Sequence, residues 1–262
     1  MAHYVARGAE VTLITCTRGE EGEVLIPALA DLASDRDDRL GVHRESELAE
    51  AMAHLGVRDH RFLGAPDLLF RDSGMMGMPS NDRDDCFWKA DVDHAATLLA
   101  KIIDERRPHV VVTYDDFGGY GHPDHIQTHR VTMRAVELAT WPVAKVYWNT
   151  MPRSVMEGAV KAMADNGTPF DDWGPLEDLP FLKPDEVVTT AIHAPEQVER
   201  KVAALRAHAT QITVDGPIFA LSNYLGQGVF GSEYYTLVNG TLGPDRGQDG
   251  WESDLFSGIE IT

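Results

Sequence analysis

Residues 110–114, Val-Val-Val-Thr-Tyr, constrain the fold of this chain more than any other segment. Four β-branched side chains and a tyrosine in succession are stiff about χ1 and give the strongest strand signal in the sequence. Residues 92–107 precede it. There Ala95, Leu98, Leu99, Ile102 and Ile103 recur at helical spacing before Pro108 ends the pattern. A glycine-rich loop follows, and then residues 123–138 read as a helix entered through Pro123, whose fixed φ suits a first helical position. Helix, strand, loop and helix at this pace belong to βαβ units and a mostly parallel sheet.

The alternation continues elsewhere. Residues 1–8 read as the last turns of a helix closed by Gly8, and 11–17 as a strand covered on both faces. A helix is expected over 40–55, with Val42, Leu48, Ala49, Met52 and Leu55 on its apolar side and Gly56 as its stop. Strands follow at 61–64, 145–148 and 186–192, and helices at 152–164 and 195–208. Residues 65–87 have no period, and a loop this long inside a compact domain suits a lid or a binding loop. The expected architecture is α/β in a single domain, with a core at 1–210 and a small cap at 211–262.

Composition narrows the function. Twenty-three basic against 42 acidic residues leave a net charge of −19, and 43% of the side chains are apolar. That is a folded chain without the basic face a nucleic acid requires. Only Cys16 and Cys86 occur, so no disulfide framework is expected. No apolar run approaches the ~18–20 residues that cross a bilayer. A cytoplasmic location with a small-molecule partner, and neither nucleic acid nor membrane, is therefore expected. Nothing in the pattern sets an oligomeric state. Walker, dinucleotide-binding and nucleophile-elbow motifs are all missing from the sequence.

The loop after 110–114 carries the chemistry: Asp115-Asp116-Phe117-Gly118-Gly119-Tyr120-Gly121-His122-Pro123-Asp124-His125. Ligands of parallel sheets bind beyond the carboxyl ends of the strands. His122 and His125 stand three apart at a helix start, so both rings can project from one side, and Asp124 between them could fix a tautomer. Imidazole and carboxylate suit zinc. A plainer reading makes His122 a neutral cap, Asp124 a dipole charge and His125 an exposed residue. His129 reads as incidental, Arg44 and Arg71-Asp72 as surface salt-bridge partners, the methionines at 75, 76 and 78 as packing of a lid, and His208 as a dipole-compatible cap of the last helix.

Together with Thr15-Cys16-Thr17-Arg18-Gly19-Glu20-Glu21-Gly22-Glu23-Val24, Arg71-Asp72-Ser73-Gly74-Met75 and Ala207-His208-Ala209-Thr210-Gln211, the loop resembles the LmbE-like, PIG-L-type zinc-dependent N-acetylglucosamine deacetylases. Within them it is most similar to the actinobacterial branch of mycothiol biosynthesis, whose substrate is N-acetylglucosaminyl-inositol. The resemblance implies a Rossmann-like sheet with zinc at its carboxyl edge. It makes His125 a zinc ligand, His122 a stabiliser of the tetrahedral intermediate or proton donor, Asp124 its orienting carboxylate, and Tyr120 a polariser of the acetyl carbonyl. Glu23, Arg44 and Asp72 would line the sugar–inositol pocket.

The chain departs from the family at one place. The Ala-His-Pro-Asp-Asp-Glu motif that supplies two zinc ligands and the general base does not occur in it. Residue 1 aligns within the helix that follows that motif, so the first strand is expected to be missing and zinc binding and deacetylation to be impaired. Met1 as an internal methionine of a longer, active product is one expectation, and a decayed or non-catalytic protein the other. Mycothiol S-conjugate amidase and a non-catalytic carbohydrate-binding protein are the alternative functions.

Overall fold

A computed structural model of the protein describes residues 1–165, 175–212 and 231–260. In chain order the elements are α1 (Ala2–Ala6), β1 (Thr12–Thr15), α2 (Leu40–Leu55), β2 (Asp59–Phe62), α3 (Val92–Arg106), β3 (Val110–Thr113), the single turn α4 (Gly118–Gly121), α5 (Pro123–Leu138), β4 (Lys145–Pro152), α6 (Arg153–Asp165), β5 (Leu182–Lys183), β6 (Thr190–His193), α7 (Val198–Ala207) and β7 (Ser232–Asn239). The fold is α/β and parallel-rich, as the alternation implies. The chain divides into two compact units, residues 1–91 with 196–220 and residues 92–195 with 221–262.

In the first unit β1 and β2 form a parallel pair, and α1, α2 and α7 bury an apolar cluster. Ala2, Ala51, Met52, Leu55, Val57, Ala204 and Ala207 make its centre, with Val5, Val11, Leu13 and Leu48 packed against it. Truncating Met52 there would cost about 2–5 kcal/mol. The buried face of α2 runs through Leu40, Glu47, Ala51 and Leu55, so Val42, two residues from Leu40 and on the opposite side, is 55% exposed. Gly56 closes α2 at φ 77, the left-handed conformation expected of it. All four residues of β1 are half-buried, short of the cover on both faces that their composition suggests.

In the second unit β3 and β4 run parallel, β4 also pairs with β5, and β7 lies antiparallel between β4 and β6. Sequence periodicity does not announce β7. Among the described residues β3 pairs with β4 alone, and Val112 is 46% exposed. Residues 240–260 return to the sheet through Glu252, which is wholly buried. Its carboxylate accepts from Lys145 Nζ at 2.6 Å, Tyr147 Oη at 2.5 Å, Thr190 Oγ1 at 3.0 Å and the Gly243 amide at 2.7 Å. Burial alone would push Glu252 up, but these donors hold it below the usual carboxylate range. Residues 211–212 go with the first unit and 231–260 with the second, while 213–230, most of the first half of the expected cap, lie outside the described residues.

Candidate active site

The glycine loop at the end of β3 is shaped by what presses against it. A Cβ on Gly118, at φ 66, would stand 2.6 Å from the Ile126 amide nitrogen and 2.7 Å from His125 Cβ. Only glycine tolerates both that backbone and that contact. The loop then delivers four rings to one place. Tyr114 stacks on His125 at 4.1 Å between centroids and 8° between planes, while Tyr120 meets the edge of His125 at 5.0 Å. The His122 and His125 rings are 4.9 Å apart. Tyr120 is 51% exposed, Asp124 is buried, and both histidines are half-buried.

The two imidazoles are held in opposite senses. His122 is the N-cap of α5, and its Nδ1 accepts the Asp124 amide at 3.1 Å. An acceptor at Nδ1 puts the hydrogen of the neutral ring on Nε2. His125 Nδ1 lies 3.2 Å from the Gly118 carbonyl, which can only accept, so that ring carries its hydrogen on Nδ1 and its lone pair on Nε2. His122 is thus built as an N–H donor and His125 as a lone-pair donor. The capping role expected of His122 by the plainer reading is seen in this bond, which leaves Nε2 as the N–H of the neutral ring. One bond between His122 and Asp124 runs through the Asp124 backbone. His129 Nδ1 faces the Tyr114 carbonyl at 3.1 Å and its ring meets Trp148 at 5.0 Å, a structural place in keeping with the plainer reading.

The expected pocket residues Glu23, Arg44 and Asp72 belong to the first unit. Asp72 is buried and accepts the Glu21 and Gly74 amides at 3.2 and 3.0 Å. Arg44 donates to the Gly19 carbonyl at 3.1 Å, and burial pushes its guanidinium down against the pull of Asp72, Glu47 and Glu20. Arg44 and Asp72 are therefore neighbours in charge. Glu23 is exposed, and its backbone carbonyl, not its carboxylate, is held by Gln211 Nε2 at 2.9 Å. Arg71 pairs with Glu21 and Asp38, each at 2.7 Å, as a structural ion-pair partner would.

Two residues gain a meaning that sequence reasoning did not give them. His208 is the C-cap of α7, as expected, but burial and the Arg44 charge push its imidazole below its ordinary value, which disfavours the cationic form there. Asp115, quoted only as part of a motif, accepts the Gly119 amide at 2.7 Å and lies 2.8 Å from Lys183 Nζ. No signal in the sequence joins Asp115 to Lys183.

The sequence model of GlcNAc-PI de-N-acetylases, PIG-L, matches residues 1–136. The chain belongs to the PIG-L family. Its similarity extends along its whole length. A 1D-myo-inositol 2-acetamido-2-deoxy-alpha-D-glucopyranoside deacetylase of Geodermatophilus obscurus is 55% identical, over 99% of this chain and 91% of the relative. One of the same name from Acidothermus cellulolyticus is also 55% identical, over 100% and 89%. Among solved structures, N,N'-diacetylchitobiose deacetylase from Pyrococcus horikoshii superposes with a TM-score of 0.54 at 17% identity, covering 90% of this chain and 76% of the other. A deacetylase of teicoplanin biosynthesis gives 0.52 at 18% identity, covering 92% of each. These two likenesses confirm the fold of this PIG-L chain.

Among the described residues no three His, Cys, Asp or Glu side chains are grouped to hold a metal ion. The described residues therefore do not make up a zinc site. No described helix is long and apolar enough to cross a membrane.

Proposed function

We propose that this protein is a cytoplasmic amidohydrolase that removes the acetyl group from an N-acetylglucosaminyl-inositol, a small-molecule glycoside, with zinc as the family's metal. The identity of 55% over nearly the full length of a deacetylase of that substrate carries the reading. Hydrolysis of an amide needs donors for the oxyanion that forms and for the amine that leaves. His122, with its hydrogen on Nε2, is suited to donate to either, and Tyr120, exposed at the loop's tip, is placed to donate to the acetyl oxygen. Asp124 holds His122 at the start of α5. Within the first unit, Arg44 and Asp72 are a charged pair suited to a polyhydroxylated ring by hydrogen bonds rather than by net charge. Zinc would supply an activated water. Of the described residues, the family resemblance matches His125 alone to a zinc ligand.

The test measures free-amine release from N-acetylglucosaminyl-inositol by the 262-residue chain, and by the same chain preceded by any in-frame upstream codons, each with its zinc content. The zinc-bearing protein is expected to release amine and a chelator to stop it. His122→Ala should lower kcat at least ~100-fold with zinc content unchanged. Protein holding one zinc per chain that releases no amine would overturn the reading. Faster cleavage of a mycothiol S-conjugate than of the unconjugated glycoside would turn it into an amidase.

A further inference from the structure

The contacts that orient His125 do not end at the loop. The Gly118 carbonyl fixes His125 Nδ1, the Gly118 amide donates to the Asp115 carbonyl at 3.0 Å, and the Gly119 amide donates to Asp115 Oδ1 at 2.7 Å. Asp115 is therefore the anchor for both glycines, and it is 4% exposed. Its other oxygen, Oδ2, is buried without a directional hydrogen bond, and what stands beside it is Lys183 Nζ at 2.8 Å. The lysine comes from β5, a two-residue strand held on the end of β4 by pairs Met151 with Leu182 and Pro152 with Lys183. A buried carboxylate with one oxygen supported only by charge depends on that charge, because the alternative is an uncompensated anion. Without it the carboxylate is left to take up a proton or turn toward water, and turning would take Oδ1 from the Gly119 amide.

We propose that Lys183 is a positioning residue for the imidazole loop, acting through Asp115. It fixes the carboxylate that holds the Gly119 amide, whose peptide plane carries the Gly118 carbonyl that sets the tautomer of His125, and with it the base of the turn that carries Tyr120. The catalytic consequence rests on the proposed function of residues 120–125, whereas the structural consequence does not.

The experiment compares Lys183→Met, Lys183→Arg and Asp115→Asn, and the double variant of Lys183→Met with Asp115→Asn, in the whole chain. It reads ring-nitrogen NMR of His125, circular dichroism, and amine release where the protein shows it. Lys183→Met is expected to stay folded and to turn the single Nδ1–H form of His125 into a mixture. Its kcat should fall at least ~10-fold with KM within about twofold, and Lys183→Arg should restore both signals. Asp115→Asn removes the need for a cation while Oδ1 still accepts from Gly119, so adding it should rescue most of the Lys183→Met defect. If Lys183→Met does not fold, the same rescue is read as recovery of the native spectrum. An unchanged His125 signal in folded Lys183→Met, or no rescue by Asp115→Asn, overturns the proposal. A shifted His125 signal in protein that holds one zinc per chain and deacetylates nothing supports the proposal and counts against the proposed function.

Discussion

The two units hold their candidate site residues by different mixtures of backbone hydrogen bonding and charge. In the second, the imidazole loop is set by backbone groups: a carbonyl fixes His125, an amide fixes His122, and positive φ at Gly118 lets α5 come close. In the first, backbone groups also hold Arg44, Asp72 and Glu20, but charge is added to them: Asp72, Glu47 and Glu20 pull on Arg44, and Arg71 is tied to Glu21 and Asp38 by ion pairs. Backbone fixing gives each neutral ring a defined nitrogen, and the Asp115–Lys183 pair behind the loop, with its carboxylate buried, is screened little by salt. Charge fixing gives a rigid polar wall whose stability follows salt and pH.

The sharpest way to break this contrast is at Gly118. Gly118→Ala should destabilise the protein by about 2–4 kcal/mol, since strain and a backbone clash add, whereas Gly119→Ala, with open space around its Cβ, should cost about 1 kcal/mol. Thermal unfolding separates them, and equal losses would mean that α5 does not press on the loop. Arg71→Met comes next, at about 1–3 kcal/mol, because Glu21 and Asp38 both lose their partner. Its cost should shrink in 1 M salt, while that of Gly118→Ala should not.

A smaller effect concerns pH. His208, faced by Arg44 and Glu47 of α2, is held below its ordinary value of 6.5 by burial first and by Arg44 second. The folded chain then binds fewer protons than the unfolded one, so the stability linked to His208 is complete above about pH 6.5 and declines as the pH falls toward the folded value. His208→Gln should flatten the stability profile in that window, and an unchanged slope would show that His208 is not the group responsible. The smallest change is expected at Tyr120→Phe. Half exposed, it should alter unfolding by no more than about 0.5 kcal/mol, so any loss of amine release reports chemistry and not folding.

Local chemistry made part of this legible in advance. Pro123 and Gly56 mark the start of α5 and the end of α2 to the residue, because a fixed φ and a left-handed cap are properties of single residues. The pair His122 and His125 was visible from spacing and from the loop's place after β3. Their opposite tautomers were not, since those depend on where the Gly118 carbonyl and Asp124 amide come to rest. β7 escaped because its partners, β4 and β6, are supplied by tertiary pairing, and Lys183 escaped because nothing local ties it to Asp115. His208 looked like a cationic cap because burial cannot be read from a helix end.

The central claim is that one histidine of the loop offers a proton and the other a lone pair. Long-range nitrogen–proton NMR of the imidazoles near neutral pH tests it without metal or substrate. His122 should carry its hydrogen on Nε2 and His125 on Nδ1. The same tautomer on both rings, or rapid exchange between forms on either, would contradict it.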